Sequence, residues 1–266
     1  MSNTASTLPT LCIGILTMNE SQRIRACLDS ARFADQVLVV DSGSSDGTRE
    51  LASQWGAEVH LHADWQGFAE QRNRLLVHCR CDYIFFLDAD EVIPDGLRED
   101  ILTALRSGRN AVWEIQWEQV AFGRPLRAMK TSNGIPRLFR RDNIECFEGV
   151  VHEGARLRQP NTPVLPLRHR LLHFSRETIY GSLLKLAQYA QLGAIKRAQK
   201  GQRGGIWRGI ASALAIFIKL YVLRRGFLCG PQGFLYCLFV ALECFFRYVA
   251  LRYDGAELLR DKPALR

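Results

Sequence analysis

A chain of 266 residues can bury one substantial core and carry an extension, and a composition that is 47% hydrophobic and 23% charged excludes a disordered or collagen-like polymer. The formal charge of +8 is concentrated: between Glu177 and Glu243 there is no acid, while Lys185, Lys196, Arg197, Lys200, Arg203, Arg208, Lys219, Arg224 and Arg225 are all basic, and the rest of the chain is nearly neutral. That segment calls for a polyanionic partner, lipid head groups or nucleic acid. The eight cysteines form no CxxC pair and several lie in apolar runs, which disfavours a metal-thiolate site and predicts reduced, packed thiols. Met1 to Pro9 is polar without a basic leader, which predicts a protein kept in the reducing cytoplasm.

In chain order, Leu11 to Leu16 reads as a short apolar strand that ends in Thr17, Met18, Asn19 and Glu20. Ser21 opens a helix whose inward stripe is Ile24, Cys27, Leu28 and Ala31. Gln36 to Val40 is a second buried strand, and it too ends in polar residues, Asp41 to Gly47. Ser45 or Asp46 can cap the next helix, which buries Leu51, Ala52 and Trp55. Glu58 to Ala63 alternates as a third strand, and Gly67 to Arg80 follows as a helix with Arg72 and Asn73 in its middle.

The run Tyr83 to Leu87 has the length and aromatic content of a strand buried on both faces, and Asp88, Asp90 and Glu91 come directly after it. In an open α/β sheet ligands bind in the crevice outside the carboxyl ends of the strands. Acids there can hold a hard cation or a sugar hydroxyl, whereas the plainer reading is an acidic loop capping the next helix. That helix begins at Pro94 and buries Leu97, Ile101 and Leu105. The strand-helix repetition predicts a mostly parallel sheet with helices on both faces. Neither GxGxxG nor GxxxxGK[ST] occurs, which disfavours a dinucleotide-binding domain and a P-loop.

From Ala111 the pattern changes, because Trp113, Ile115 and Trp117 alternate with polar residues as in one half-exposed strand. The stretch Ile135 to Gly154 is dense in charge, with Arg137, Arg140, Arg141, Glu148, His152 and Glu153. It reads equally as a charged surface hairpin or as a substrate wall. His173, after an apolar pair, is a third metal ligand or a packed structural histidine. Near the end, Gly209 to Leu223 is fifteen residues containing Lys219, and Gly226 to Leu242 is an uncharged run interrupted by Gly230-Pro231, so neither reaches the length of a comfortable membrane span. They suit an amphipathic hairpin in a membrane interface, with a packed helical subdomain as the alternative. Bases interleaved with contiguous apolar residues, without a nucleic-acid motif, favour lipid over nucleic acid. The expected division is a catalytic domain over 1–204 and a membrane-associated region over 205–266.

Taken together, LTMNE, VVDSGSSDGT, EQRN, FLDADE and VVHE resemble a family 2 glycosyltransferase of the GT-A fold, most of all the bacterial lipopolysaccharide core β-glucosyltransferases. GFLCGPQGF matches a signature of the same group. The resemblance covers about Leu11 to Ser175. It implies inverting transfer from a nucleotide-diphosphate sugar such as a UDP-hexose, with Mg2+ or Mn2+, to a glycan or lipid-linked acceptor at the cytoplasmic face of the inner membrane, where the protein is peripheral or monotopic. By the same resemblance Thr17, Asn19 and Glu20 lie against the nucleoside, Asp41 bonds the base and Arg72 faces the phosphates. Asp88 holds ribose or metal, Asp90 coordinates the metal, and Glu91 supports the site. Apart from the resemblance, Arg137 and Arg140 are substrate-binding residues where the Ile135 to Gly154 stretch is read as a substrate wall. The family places its base in an acidic pair, here His152-Glu153. A nucleotidyltransferase would instead carry a Gly-rich basic loop after the first strand, where this chain has Thr17-Met18-Asn19-Glu20. A non-enzymatic membrane scaffold is the other rival, and Asp41, Asp88, Asp90 and Glu153 argue against it.

Overall fold

The computed structural model describes residues 8–130, 134–149 and 154–255. The expected base pair, His152-Glu153, lies outside the described residues. The chain divides into two compact units, Met1–Trp117 with Ser132–His173, and Glu118–Thr131 with Phe174–Arg266.

The first unit begins with the expected alternation: β1 Leu11–Thr17, α1 Ile24–Ser30, β2 Gln36–Asp41, α2 Thr48–Trp55, β3 Glu58–Leu61, α3 Phe68–His78, β4 Tyr83–Asp88, β5 Glu91–Val92 and α4 Asp95–Arg106. The alternating stretch after Ala111 is two strands, β6 Val112–Ile115 and β7 Trp117–Ala121, because the Gln116 carbonyl leaves the ladder to accept from the Leu171 N–H. Then come β8 Arg124–Pro125, β9 Ile135–Arg140, β10 Ile144–Glu148, β11 Gly154–Leu157, β12 Val164–Pro166 and β13 Leu171–Arg176. The main sheet has the order β12-β6-β9-β4-β1-β2-β3. β4, β1, β2 and β3 are mutually parallel, while β9 runs antiparallel to both β4 and β6. The first part of the expected charged hairpin is therefore not at the surface, because β9 is a central strand, while β10 and β11 form a separate two-stranded pair.

Strand alternation sorts the core onto two faces. Leu11, Ile13, Ile15, Tyr83, Phe85 and Leu87 pack with α1, α2 and α4 through Ile24, Leu28, Ala52, Leu97 and Ile101. Cys12, Leu38, Val40, Ile84 and Phe86 pack on Leu75 and Leu76 of α3. With helices on both faces, the parallel strands β1, β2 and β4 end side by side at Thr17, Asp41 and Asp88. All eight cysteines are free thiols.

The second unit is largely helical: α5 Ile179–Gln199, α6 Ile206–Ile218 running into a π turn Lys219–Leu223, a 3-10 turn Gly226–Cys229, and α7 Gly230–Tyr253. The boundary expected after Gly204 falls inside this unit, between α5 and α6. Gly230-Pro231 begins α7 instead of breaking a helix, since proline without its N–H is tolerated in a first turn. Glu243 does not interrupt it either, because its carboxylate is buried in an ion pair with Arg176. Ile206–Leu223 and Gly226–Tyr253 are thus long and apolar enough, by length and composition, to cross a membrane. The two arms close tightly at the turn. A Cβ at Gly233 would collide with the Gly226 carbonyl and stand 2.7 Å from Cys229 Cβ, so only glycine lets these backbones meet.

Candidate active site

At the end of β4 the three acids have three different environments. Glu91 is fully buried: Oε1 accepts from Trp117 Nε1 at 2.5 Å and from Arg137 Nη2 at 2.7 Å, and Oε2 accepts the Asp88 N–H at 2.8 Å. Arg137 Nη2 also donates to Asp88 Oδ2 at 2.8 Å, so one buried guanidinium bridges two carboxylates. Asp88 keeps a side chain 35% exposed to the crevice. Desolvation works to raise the Asp88 carboxyl, but Arg137, with Arg72 behind it, outweighs that and holds it at about 2. Burial pushes Glu91 up to about 7, with Arg137 opposing and the Asp88 charge reinforcing the rise. Asp88 is therefore the ionised, accessible member, and Glu91 the buried support.

Asp90 points elsewhere. Its Oδ2 lies 3.4 Å from His173 Nε2, each side chain being 20% exposed, and the His173 ring packs on Trp117 at 4.7 Å between centroids. The register places His173 opposite Glu91, because β13 pairs antiparallel with β5. A carboxylate oxygen beside an imidazole nitrogen is a mixed donor pair, of which the carboxylate suits Mg2+ or Mn2+; among the described residues the ligand atoms of Asp88, Asp90 and His173 do not all lie within 4.8 Å of one another.

Arg72 on α3 is half-buried and stacks its guanidinium over Phe86 and Phe147, at 5.5 and 5.6 Å. The stacking fixes a long side chain on the open edge of the sheet. At the β1 and β2 ends, two loops lace together. The Asn19 N–H donates to Ser44 Oγ at 2.8 Å, the Ser45 N–H to Asn19 Oδ1 at 2.9 Å, and the Glu20 N–H to Thr48 Oγ1 at 2.9 Å. Asn19 sits at φ 56°, a left-handed conformation that Asn enters more readily than most residues. Asp46 ties the same loops by accepting from the Ser21 N–H at 3.0 Å and the Thr48 N–H at 3.1 Å, which makes it structural, although Gly47 and not Asp46 occupies the helix cap. Thr17 is buried at the end of β1, its hydroxyl without a partner among the described residues.

Three expected residues are placed otherwise than the sequence suggested. Asp41 is fully buried, with Oδ1 accepting the N–H groups of Gly43 and Ser44 at 3.0 and 2.8 Å and Oδ2 accepting from Ser44 Oγ, so it shapes the loop from within. Arg140 pairs with Tyr83, at the start of β4, and its guanidinium binds Asp142 at 2.6 Å. It thus stands about 17 Å along the strand from Asp88. The physical reason is the antiparallel course of β9, which brings Arg137 to the acid end and carries Arg140 to the opposite one. Arg137 in turn is interior, 1% exposed, and is no wall residue.

Two residues were missed. Gln71, fully buried on the inward stripe of α3, donates to Ser42 Oγ at 2.8 Å and so joins the helix to the β2 loop. Asn73 exchanges both amide hydrogen bonds with the Phe147 backbone, at 2.7 and 3.1 Å, and holds β10 in place. A polar residue on an otherwise apolar helical stripe was the available signal for Gln71.

An acid-lined crevice at the ends of parallel strands, with an antiparallel strand inserted beside β4, defines this unit as a GT-A type α/β protein of the kind that binds its ligand at the sheet edge. The chain belongs to glycosyl transferase family 2, whose profile matches residues 12–158, and it is a glycosyltransferase. It is 26% identical over 94% of its length, and 93% of the relative's, to the lipopolysaccharide core biosynthesis glycosyltransferase LpsC of Rhizobium meliloti (strain 1021). An uncharacterized glycosyltransferase of Rickettsia bellii (strain RML369-C) is also 26% identical, over 95% of this chain and 88% of that one. Among solved structures, the chain is similar to S. aureus TarS 1-349 in complex with UDP (19% identity, TM-score 0.39, 52% of this chain and 40% of that one). It is similar also to glucosyl-3-phosphoglycerate synthase from Mycobacterium tuberculosis in complex with Mn2+, UDP and glucosyl-3-phosphoglycerate (23% identity, TM-score 0.35, 46% of each chain). The chain spans less than half of either solved protein.

Proposed function

We propose that the protein is an inverting glycosyltransferase that moves a hexose from a nucleotide-diphosphate donor, a UDP-hexose, to a hydroxyl of a lipopolysaccharide-core or other lipid-linked acceptor at the cytoplasmic face of a membrane. The observation that carries the reading is the sorting of the three acids: Asp88 is ionised and 35% exposed and is braced by the buried Arg137 and Glu91, while Asp90 faces His173. The name of the Rhizobium relative supports the acceptor class.

In this reading the laced loops carrying Thr17, Asn19 and Glu20 form the nucleoside side, and Asp41 keeps their shape. Arg72 meets the diphosphate, and Asp88 meets the ribose. Asp90 and His173 would hold Mg2+ or Mn2+, which when bound supplies positive charge to the departing diphosphate. Glu153, oriented by His152, takes the proton of the acceptor hydroxyl. The oxygen then bonds to the anomeric carbon on the face opposite the breaking bond to the diphosphate, and the configuration inverts. The first unit would carry the donor chemistry and the helical region the membrane attachment.

The test is nucleotide release from a panel of nucleotide sugars, with Mg2+ or Mn2+ and a lipid-linked glycan, followed by assignment of the product's anomeric configuration. UDP release with an inverted product is expected. Release of a sugar 1-phosphate in place of a nucleoside diphosphate would mean transfer of the nucleotidyl group, as in a nucleotidyltransferase. Glu153→Gln keeps the shape and removes the basicity, so transfer falls by roughly 10²-fold while donor binding persists.

A further inference from the structure

The helical unit carries a surface that donor chemistry does not use. On α6 and the π turn that continues it, Trp207, Leu214, Ile218 and Val222 are 83, 57, 52 and 51% exposed, and their spacing keeps them on one side of the helix. The stripe runs for about 22 Å, and the turn prolongs it with the exposed Phe227 and Leu228. An apolar band of that length is larger than a soluble surface normally leaves uncovered. Bases stand at both ends: Arg203 and Arg208 near the start, and Arg224 and Arg225 at the turn. The segment from Glu118 adds Arg124, Arg127 and Lys130 at the turn, held there by a hydrogen bond from the Lys130 N–H to the Arg224 carbonyl at 2.9 Å.

What lies behind α6 decides how it can meet a bilayer. α6 packs on α7, and α7 is covered at its start, middle and end by segments rich in polar groups. Cys229 and Cys237 pack with Ala121, Leu126 and Met129 of the β7–β8 region. Glu243 pairs with Arg176 on β13, and Leu251 packs with Ala194 and Ile195 of α5. If the hairpin crossed a membrane, the short strands β7 and β8 and the Arg124, Arg127 and Lys130 side chains would have to enter or cross the hydrocarbon, where open strand edges are not tolerated. Basic clusters at both ends also leave no end suited to translocation.

We infer that the α6–α7 hairpin does not span a bilayer. α6 instead lies flat in the interface of an anionic membrane, with the Trp207 to Val222 stripe and the Phe227-Leu228 turn immersed, and with both ends of the hairpin on the same side. This deepens the membrane-linked acceptor reading and rests on it. Apolar burial drives the insertion, and the two basic clusters fix it on acidic head groups.

Depth-resolved tryptophan quenching tests the inference on the full chain. Vesicles of phosphatidylethanolamine and phosphatidylglycerol carry bromines at either a shallow or a deep acyl position. The reporters are native Trp207, and Leu214→Trp or Val222→Trp in a Trp207→Phe background. All three sites are exposed, so the fold tolerates them. The four other tryptophans, all in the first unit, give a constant background. The expected result is equal quenching at the three sites, stronger from shallow than from deep bromines, with binding weakened at least tenfold when phosphatidylglycerol is replaced by phosphatidylcholine. Deep bromines quenching site 214 more than sites 207 and 222 would overturn the flat placement and make the helix a span. Binding that ignores phosphatidylglycerol would overturn the anionic contact. No quenching at any site would overturn the membrane attachment itself, while nucleotide release with a soluble acceptor reports separately on the transfer reading.

Discussion

Replacing Arg137 with methionine probes the least visible part of the site. The guanidinium is 1% exposed and is shared between Asp88 Oδ2 and Glu91 Oε1, at 2.8 and 2.7 Å. Removing one partner of a buried ion pair costs about 3–5 kcal/mol, because the remaining charge is stranded. Here the two carboxylates differ. Asp88, 35% exposed, regains water, whereas Glu91, sealed and already raised to about 7, is pushed up further without Arg137 and takes up a proton while keeping Trp117 Nε1 and the Asp88 N–H. The expected loss for Arg137→Met is therefore at the lower end, about 3 kcal/mol, against a total stability on the order of 5–15 kcal/mol. Urea unfolding followed by tryptophan fluorescence should show a midpoint lower by about 1–2 M at an ordinary slope. Adding Glu91→Gln should recover about 1–2 kcal/mol, since a neutral amide in place of the sealed carboxyl no longer needs the missing guanidinium and the two sites are coupled. A single variant within 1 kcal/mol of the parent, or a double variant whose losses simply add, would refute the bridging role.

Other consequences are as direct. Asp90→Ala, like removal of divalent metal by a chelator, should lower turnover by about two to three orders of magnitude, and full activity in chelator would dismiss the metal-assisted reading. Gly233→Ala forces a Cβ against the Gly226 carbonyl and Cys229, so the α6–α7 turn should lose about 1–3 kcal/mol and trypsin should cut after Arg225 faster; unchanged cleavage would contradict the close approach. At the other end of the sheet, Arg80 bonding, against partial burial, holds Glu58 at about 2, below its ordinary 4.5. A depressed carboxyl stabilises above about 4.5 and loses that contribution as pH falls toward about 2. Arg80 is 69% exposed, so solvent screening limits Glu58→Gln to about 1 kcal/mol near pH 7, and urea midpoints of parent and variant should converge near pH 2.

The sequence by itself determined what is local. Apolar runs of five or six residues specified β1, β2 and β4, stripes at helical spacing specified the inward faces of α1 and α4, and the acids after Tyr83–Leu87 marked the end of β4 where polar groups gather. These signals survive because a buried strand and a half-buried helix each impose a period on their own residues. The tertiary structure alone decided what depends on partners distant in the chain. The charge density of Arg137 and Arg140 looked like one surface feature. Only the insertion of β9 between β4 and β6 separated them, burying the first against Asp88 and Glu91 and leaving the second at the opposite end. Asp90 and His173 are 83 residues apart and meet because β13 pairs with β5. Likewise Gly230-Pro231 and Glu243 looked like interruptions in α7. A helix start and a buried arginine 67 residues earlier in the chain absorbed them. The cost of a buried charge or a missing N–H is set by what stands opposite it, and a one-dimensional pattern does not contain that neighbour.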